Sequence, residues 1–223
     1  MREAFDQQLQ QIMQKIALMG RTAESMVHTA ISGLTRRTES VAEEVYAKER
    51  QVNALQIEVD ELVIKTMIHQ QPVARDARLV IIASKAATDL ERMGDQAINI
   101  IQNTHFVLRS PETKPLVELE MMADGATKMV ADALSALVGN DAELAEKVFM
   151  DEKKLDALRD EVFRILLRSI ITDPLDAQRS LSLILISRNL ERIGDHATNI
   201  AEEVVYLTRG KDVRHHFDKF SRQ

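Results

Sequence analysis

The chain of 223 residues contains no cysteine and no tryptophan, and only 4% of it is aromatic. Without cysteine there is no disulfide, no thiolate metal ligand and no cysteine nucleophile, which suits a cytoplasmic setting. Seven glycines and four prolines are too few for the closely spaced turns of a β-sandwich. Ala, Leu, Ile, Val and Met fill the space instead, so the expected fold class is all-α. No basic excess exists either. The formal charge is −6 and the charged residues are dispersed, which argues against nucleic-acid binding. The longest apolar runs, such as Leu79–Ala83 and Leu183–Ile186, are far too short to span a bilayer. The amino terminus is polar where a signal peptide would need an apolar run. A soluble, cytoplasmic protein is expected. Gly-rich phosphate loops, nucleophile elbows and a supported Ser–His–Asp set are also missing, so no enzymatic activity is expected.

What is present is an eleven-residue stretch that occurs twice. Residues 90–100 read LERMGDQAINI and residues 190–200 read LERIGDHATNI, with eight of the eleven positions identical. A helix advances about 100° per residue, so Glu91, Asp95 and Asn99 fall within roughly an 80° arc of one face. Glu191, Asp195 and Asn199 do the same. Like charges at i, i+4 cost an isolated helix ~0.2–0.5 kcal/mol, and Gly in a helix interior costs ~0.8–1.0 kcal/mol against Ala. Gly94 and Gly194 therefore call for close packing of another helix, and the carboxylates call for a cation.

Read in order, the chain divides into six long helices. Apolar residues at three- and four-residue steps predict a first helix over about Glu3–Leu34. Ser40 with Glu43 reads as a capping box opening a second, which Pro72 closes. A third runs from about Ala74 to Leu108 and carries the first motif. SPETKP, residues 110–115, is the expected linker. The plan then repeats. A fourth helix covers roughly Leu116–Val138, and Asn140 with Glu143 caps a fifth that runs to about Ile171. Asp173–Pro174 opens a sixth, which ends near Thr208 with Gly210 as a stop. Met26–Val27 matches Met129–Val130 and Ala54–Leu55 matches Ala157–Leu158, so the repeat extends beyond the motif. The expected architecture is two tandem, pseudo-symmetric three-helix bundles. Their bounds are 1–109 and 116–210, with the tail at 211–223.

Helix five carries Glu152 and Asp156, again four residues apart. Residues at equal heights of an antiparallel hairpin share one index sum. Glu152 with Asp195 and Asp156 with Glu191 do so, about a centre between Asp173 and Pro174. In the first half Glu49 with Asp95 and Asn53 with Glu91 do so about Pro72. Each half should thus hold its acidic pairs level on neighbouring helices, although spacing does not fix helix rotation. Four converging carboxylates are a ligand set for Mg²⁺, Ca²⁺, Mn²⁺ or iron, with Asn99 and Asn199 as additional polar ligands. Without Cys or an ExxH pair, a zinc or di-iron bundle pattern is disfavoured. Equally, the acids can be solvated helix faces paired with Arg92, Lys85 or helix two. Asn53 leaves the first site one acid short. Arg92 and Arg192 are candidates for docking a partner's carboxylate or a phosphate, or are surface ion pairs. His196 lies about 100° from Asp195 and should not share a metal with it. His215 and His216 form a weaker metal or pH-sensing candidate in the tail.

The doubled LERxGD…N motif, the ExxxD pairs and the stretch QQPVARDARLV…SKAATDLERMGD over residues 70–95 closely resemble the PhoU family of phosphate-signalling regulators. The likeness runs from about Phe5 to His215. It implies a cytoplasmic negative regulator of the phosphate-starvation response and of phosphate uptake, not an enzyme. Such a protein couples the ATPase of a high-affinity phosphate ABC transporter to a sensor histidine kinase. It reaches the membrane only through those partners, and a homodimer is expected. Some members of the family hold metal clusters on E(D)xxxD motifs, which map here to Glu49–Asn53, Glu91–Asp95, Glu152–Asp156 and Glu191–Asp195. Iron or another hard cation is favoured among iron, manganese, magnesium and zinc. Two alternatives stand beside this: a carboxylate-rich metal-binding or storage bundle, and a purely structural adaptor without metal.

Overall fold

The computed structural model describes residues 2–110 and 117–210. The linker expected at 110–115, apart from Ser110, and the tail at 211–223 with His215 and His216 lie outside the described residues. Six α-helices account for the described chain: α1 (Arg2–Thr35), α2 (Ala42–Gln70), α3 (Arg75–Leu108), α4 (Val117–Gly139), α5 (Ala142–Thr172) and α6 (Ala177–Arg209). There is no strand among the described residues.

The helix ends show where local chemistry differs from the expected pattern. Ser40 does not cap α2. Its hydroxyl pairs with the Thr38 hydroxyl at 2.9 Å, and Val41 stands at the N-cap without a side-chain hydrogen bond. In the second repeat the cap is Asp141, one residue after the expected Asn140. Its carboxylate accepts the amide N–H groups of Glu143 and Leu144, both at 3.0 Å. Asn140 instead adopts the left-handed conformation with φ 52°, as does Arg37 at the same place in the first repeat. Asn tolerates that conformation better than most side chains. Asp173 does cap, accepting the Leu175 N–H at 3.1 Å. Pro174–Asp176 nevertheless form a 3₁₀ turn, and α6 proper begins at Ala177. Gly210 ends α6 with φ 65°, the conformation that favours glycine at a helix stop.

Within each repeat the three helices contact one another, and α3 against α6 with α1 against α4 join the repeats. Helices α2 and α5 therefore lie outermost. The two repeats share one continuous apolar core, into which Met19, Met26, Met93, Met122 and Met129 are fully buried. Unbranched, polarisable Met suits the irregular gaps between long helices. The doubled glycines sit in this core. A Cβ on Gly194 would collide with Leu155 Cδ2 and lie 3.4 Å from Met129. On Gly94 the same atom would meet Met26 and Val52 at an ordinary 3.6–3.8 Å. Helices α3 and α6 run antiparallel: Lys85 pairs with Glu203 at 2.6 Å, and Asp89 lies opposite His196 and Asn199. That arrangement puts both LERxGD motifs at the centre of the molecule and their acids on the outward shoulders.

Candidate functional site

Each repeat presents its acids in the groove between its second and third helices. In the second repeat α5 supplies Glu152 and Asp156, and α6 supplies Glu191 and Asp195. A cation stands among them. Arg159 Nη1 lies 3.2 Å from Asp156 Oδ1 and pairs with the Glu191 carboxylate, while Nη2 holds Asp160 Oδ1 at 2.9 Å. The spacing i+3 from Asp156 and i+7 from Glu152 places Arg159 on the acidic face of α5. This spacing was the available signal, and Arg159 was not among the residues singled out from the sequence.

Beyond the reach of Arg159 the acids repel one another. Burial, then the charges of Asp195 and Asp156, push the Glu152 carboxyl up to about 7, with the Thr198 hydroxyl opposing the rise. Burial, then Glu191 and Asp156, push Asp195 up to about 6, with His196 and Arg159 opposing. Desolvation and like charges act in the same direction on a carboxyl, because both disfavour its ionised form. Near neutral pH this face thus retains a proton or demands a cation.

The first repeat holds a weaker version. The Asn53 amide donates to Glu49 Oε1 at 2.5 Å. Glu91 is raised by burial and then by Asp95 and Glu49. Asp95 is raised by burial and then by Glu49. The residue in the place of Arg159 is Gln56. The first repeat lacks both Asp156's carboxylate and Arg159's cation, a loss that leaves the net charge of the face unchanged. The acids level with each other in sequence are therefore brought together in both halves.

The asparagines are not. Asn199 donates to Asp89 Oδ1 at 3.1 Å, on the side of α6 that faces α3. Eight residues of a 3.6-residue period leave it about 80° from Glu191, enough to turn it out of the acidic groove. Among the described residues the Asn99 side chain makes no hydrogen bond to Glu91 or Asp95, and the Asn99 backbone carbonyl accepts from the Asn103 side-chain amide at 2.8 Å. His196 also turns to Asp89, with Nδ1 at 3.0 Å, away from Asp195 as its position on the helix requires. Asp89 itself escapes sequence reasoning, because it lies just outside the duplicated motif and its partners are more than 100 residues away. Arg92 and Arg192 are exposed. Arg92 borders a cavity of about 270 Å³ with Lys85, Thr88, Asp89 and Glu203.

Among the described residues no three carboxylate or imidazole groups converge closely enough to hold a metal as they stand. The donors are all hard oxygen atoms, which fit iron, manganese or magnesium better than zinc. The place between Asp156 and Glu191 belongs to the Arg159 guanidinium, so an ion could enter only where that side chain swings aside.

Two fused three-helix bundles, joined through their third helices and carrying carboxylates on facing helix shoulders, define a class of duplicated all-α scaffold. The model of the PhoU domain matches this chain twice, over residues 16–104 and 119–204. A phosphate-specific transport system accessory protein PhoU homolog of Pseudomonas putida is 36% identical over 96% of this chain and 84% of its own length. The crystal structure of PhoU from Pseudomonas aeruginosa, 34% identical, superposes with a TM-score of 0.88 over 93% of this chain and 100% of that one. The phosphate transport system regulatory protein PhoU of Streptococcus pneumoniae, at 23% identity, shares the fold with a TM-score of 0.86, covering 94% and 99% of the two chains. The chain belongs to the PhoU family.

Proposed function

We propose that this chain is an accessory regulator of high-affinity phosphate uptake, an adaptor that holds the phosphate-starvation response off when phosphate is plentiful. Its partners in this reading are the ATPase of the phosphate transporter and a sensor histidine kinase. Near-full-length likeness to accessory proteins of the phosphate-specific transport system supports the role. The observation in the molecule that carries it is the α5–α6 face. Four carboxylates meet there beside the Arg159 guanidinium, and burial with mutual repulsion raises Glu152 to about 7 and Asp195 to about 6, well above the ordinary carboxylate range. Such a face is poised to exchange its internal cation for one offered by a partner. Toward the hairpin tip it continues into exposed apolar residues, Phe163, Leu167 and Ile171 of α5 and Leu181 of α6. They suit a docked partner or a second copy in a homodimer. No described helix is long and apolar enough to cross a membrane, and in this reading the protein works in the cytoplasm and meets the membrane through its partners. A strain lacking the gene is expected to express alkaline phosphatase and other starvation genes in phosphate-rich medium. Normal repression there contradicts the assignment.

A metal cluster is the second reading, favoured by the same all-oxygen donor set and its unmet demand for positive charge. Glu152, Asp156, Glu191 and Asp195 would hold iron, manganese or another hard cation after Arg159 withdraws, and Glu49, Glu91 and Asp95 would hold a weaker one. Elemental analysis of tag-free protein purified without chelator decides between them. Stoichiometric metal that the Glu191→Ala/Asp195→Ala double variant loses supports the cluster. No metal in the wild type, even after iron or manganese is supplied, removes it.

A further inference from the structure

The two repeats differ at the end where their first two helices turn. In the second repeat this corner is closed. Phe149 of α5 is 2% exposed, and Val205 of α6 is likewise buried. The Tyr206 ring is covered by the Arg78 guanidinium, whose carbon lies 5.7 Å from the ring centroid. Arg75, one turn earlier, reaches Asn140 Oδ1 at 3.4 Å. The start of α3 thus lends two arginines to the opposite repeat.

The first repeat has the same stations, and among the described residues they are left open. Tyr46 stands where the second repeat has Phe149, His105 where it has Val205, and Phe106 where it has Tyr206. A cavity of about 410 Å³ lies among Ala42, Tyr46, Ile101 and Phe106, with Glu39 and His105 on its border. Phe106 is 41% exposed. Glu39 Oε1 and His105 Nδ1 are 2.6 Å apart, at an edge where the Glu39 side chain is 57% exposed. At the motif's offset of 100, the positions matching Arg75 and Arg78 are Leu175 in the 3₁₀ turn and Gln178 of α6, neither of which carries a charge. Among the described residues no lysine or arginine lies over the Phe106 ring, whose neighbour is the His105 imidazole, edge-on at 5.7 Å between centroids. Arg37, beside the cavity in sequence, is committed to the carbonyls of Leu108 and Ser110 at 3.2 and 2.7 Å.

We propose that this cavity is a socket for an arginine side chain of a partner protein, stacked on Phe106 with Glu39 as its counter-charge. The molecule's own second repeat shows the group that closes such a corner. An aromatic face attracts a guanidinium through its quadrupole, and a carboxylate at the rim adds a fork-shaped match that lysine lacks. The apolar wall of Tyr46 and Ile101 accepts the three-carbon stem. The inference rests on the adaptor reading and names the chemistry of what it docks.

Titration of the isolated protein with N-acetyl-arginine amide, followed by NMR on the Phe106 and Tyr46 ring resonances, tests it. Saturable shifts are expected, with the uncharged isostere N-acetyl-citrulline amide bound about tenfold or more weakly, as loss of a charge-assisted contact implies. Glu39→Gln and Phe106→Ala should each weaken binding several-fold. Both side chains are substantially exposed, so both variants should fold. Absence of saturable shifts, equal binding of citrulline, or indifference to both substitutions overturns the proposal. A fall in sedimentation-derived mass on adding the arginine amide also overturns it, since the occupant would then be a second copy. Binding is read without any regulatory phenotype, so normal repression in a deletion strain would refute the adaptor role and leave this measurement standing.

Discussion

Burial and the neighbouring Asp195 and Asp156 push Glu152 up to about 7, so the folded chain keeps a proton that the unfolded chain releases near pH 4.5. Stability therefore declines as pH rises from about 4.5 toward 7. With solvent screening the loss is on the order of 1–2 kcal/mol. Asp176 works in the opposite direction. The Arg179 guanidinium first, and then Ser180 and Ser169, hold it down to about 2. Its contribution of about 2 kcal/mol is present above pH 4 and lost as pH falls toward 2. Thermal unfolding across pH should show Glu152→Gln raising the melting temperature at pH 8 with no gain at pH 4. Asp176→Asn should lower it at pH 7 and converge with the wild type near pH 2. Equal shifts of either variant at both of its pH values would show that these assignments are wrong. At this scale the acids were legible from their i, i+4 spacing. Arg159 was legible in principle from the same spacing, and the joint replacement of Asp156 and Arg159 by Asn53 and Gln56 records the pairing. Asp89 was not legible, because a side chain held by His196 and Asn199 across the molecule leaves no local pattern.

The helices carry the repeat with its chemistry rearranged. In the second repeat Lys128 of α4 holds Asp132 at 2.9 Å and Asp151 of α5 at 2.6 Å, with Lys147 3.6 Å from Asp132. At the corresponding stations of the first repeat Lys48 of α2 reaches Ser25 at 2.7 Å and Glu44 at 2.5 Å. The cation has moved from the first helix of the repeat to the second, and the contact between the two helices survives. The glycines diverge further. Gly194→Ala must displace the buried Leu155, and overpacking of this kind costs roughly 1–3 kcal/mol. Gly94→Ala meets only ordinary contacts and should gain about 0.5–1 kcal/mol from helix propensity. Chemical denaturation of both variants checks the pair, and equal effects would contradict the packing difference. The caps offer a second contrast. Asp141→Ala is expected to cost about 1 kcal/mol and Ser40→Ala almost nothing, because Asp141 holds two orphan amides and Ser40 none. A larger loss from Ser40→Ala would restore the capping box read from the sequence. In the second repeat the cap follows directly on the left-handed Asn140, whereas in the first repeat α2 starts after Val41, and the Ser40 N–H and hydroxyl are both engaged with Thr38.

For the whole molecule, the doubled motif and the prolines at 72 and 174 were enough to derive six helices in two bundles. Periodicity marks each helix's buried stripe but does not say which stripe of one repeat meets which stripe of the other. The joining of α3 to α6 and α1 to α4 depends on shape, as where Leu134 packs against Gly20. One continuous core runs across both repeats, and the acids stand on its outer grooves, α2–α3 and α5–α6. In the proposed role the α5–α6 groove acts through its carboxylates. A deletion strain complemented with the Glu152→Gln/Asp156→Asn/Glu191→Gln/Asp195→Asn chain, shown to fold and accumulate like the wild type, measures this directly. Alkaline phosphatase activity in phosphate-rich medium should remain as high as in the uncomplemented strain, while the wild-type chain restores repression. Full repression by the neutralised chain would contradict the claim.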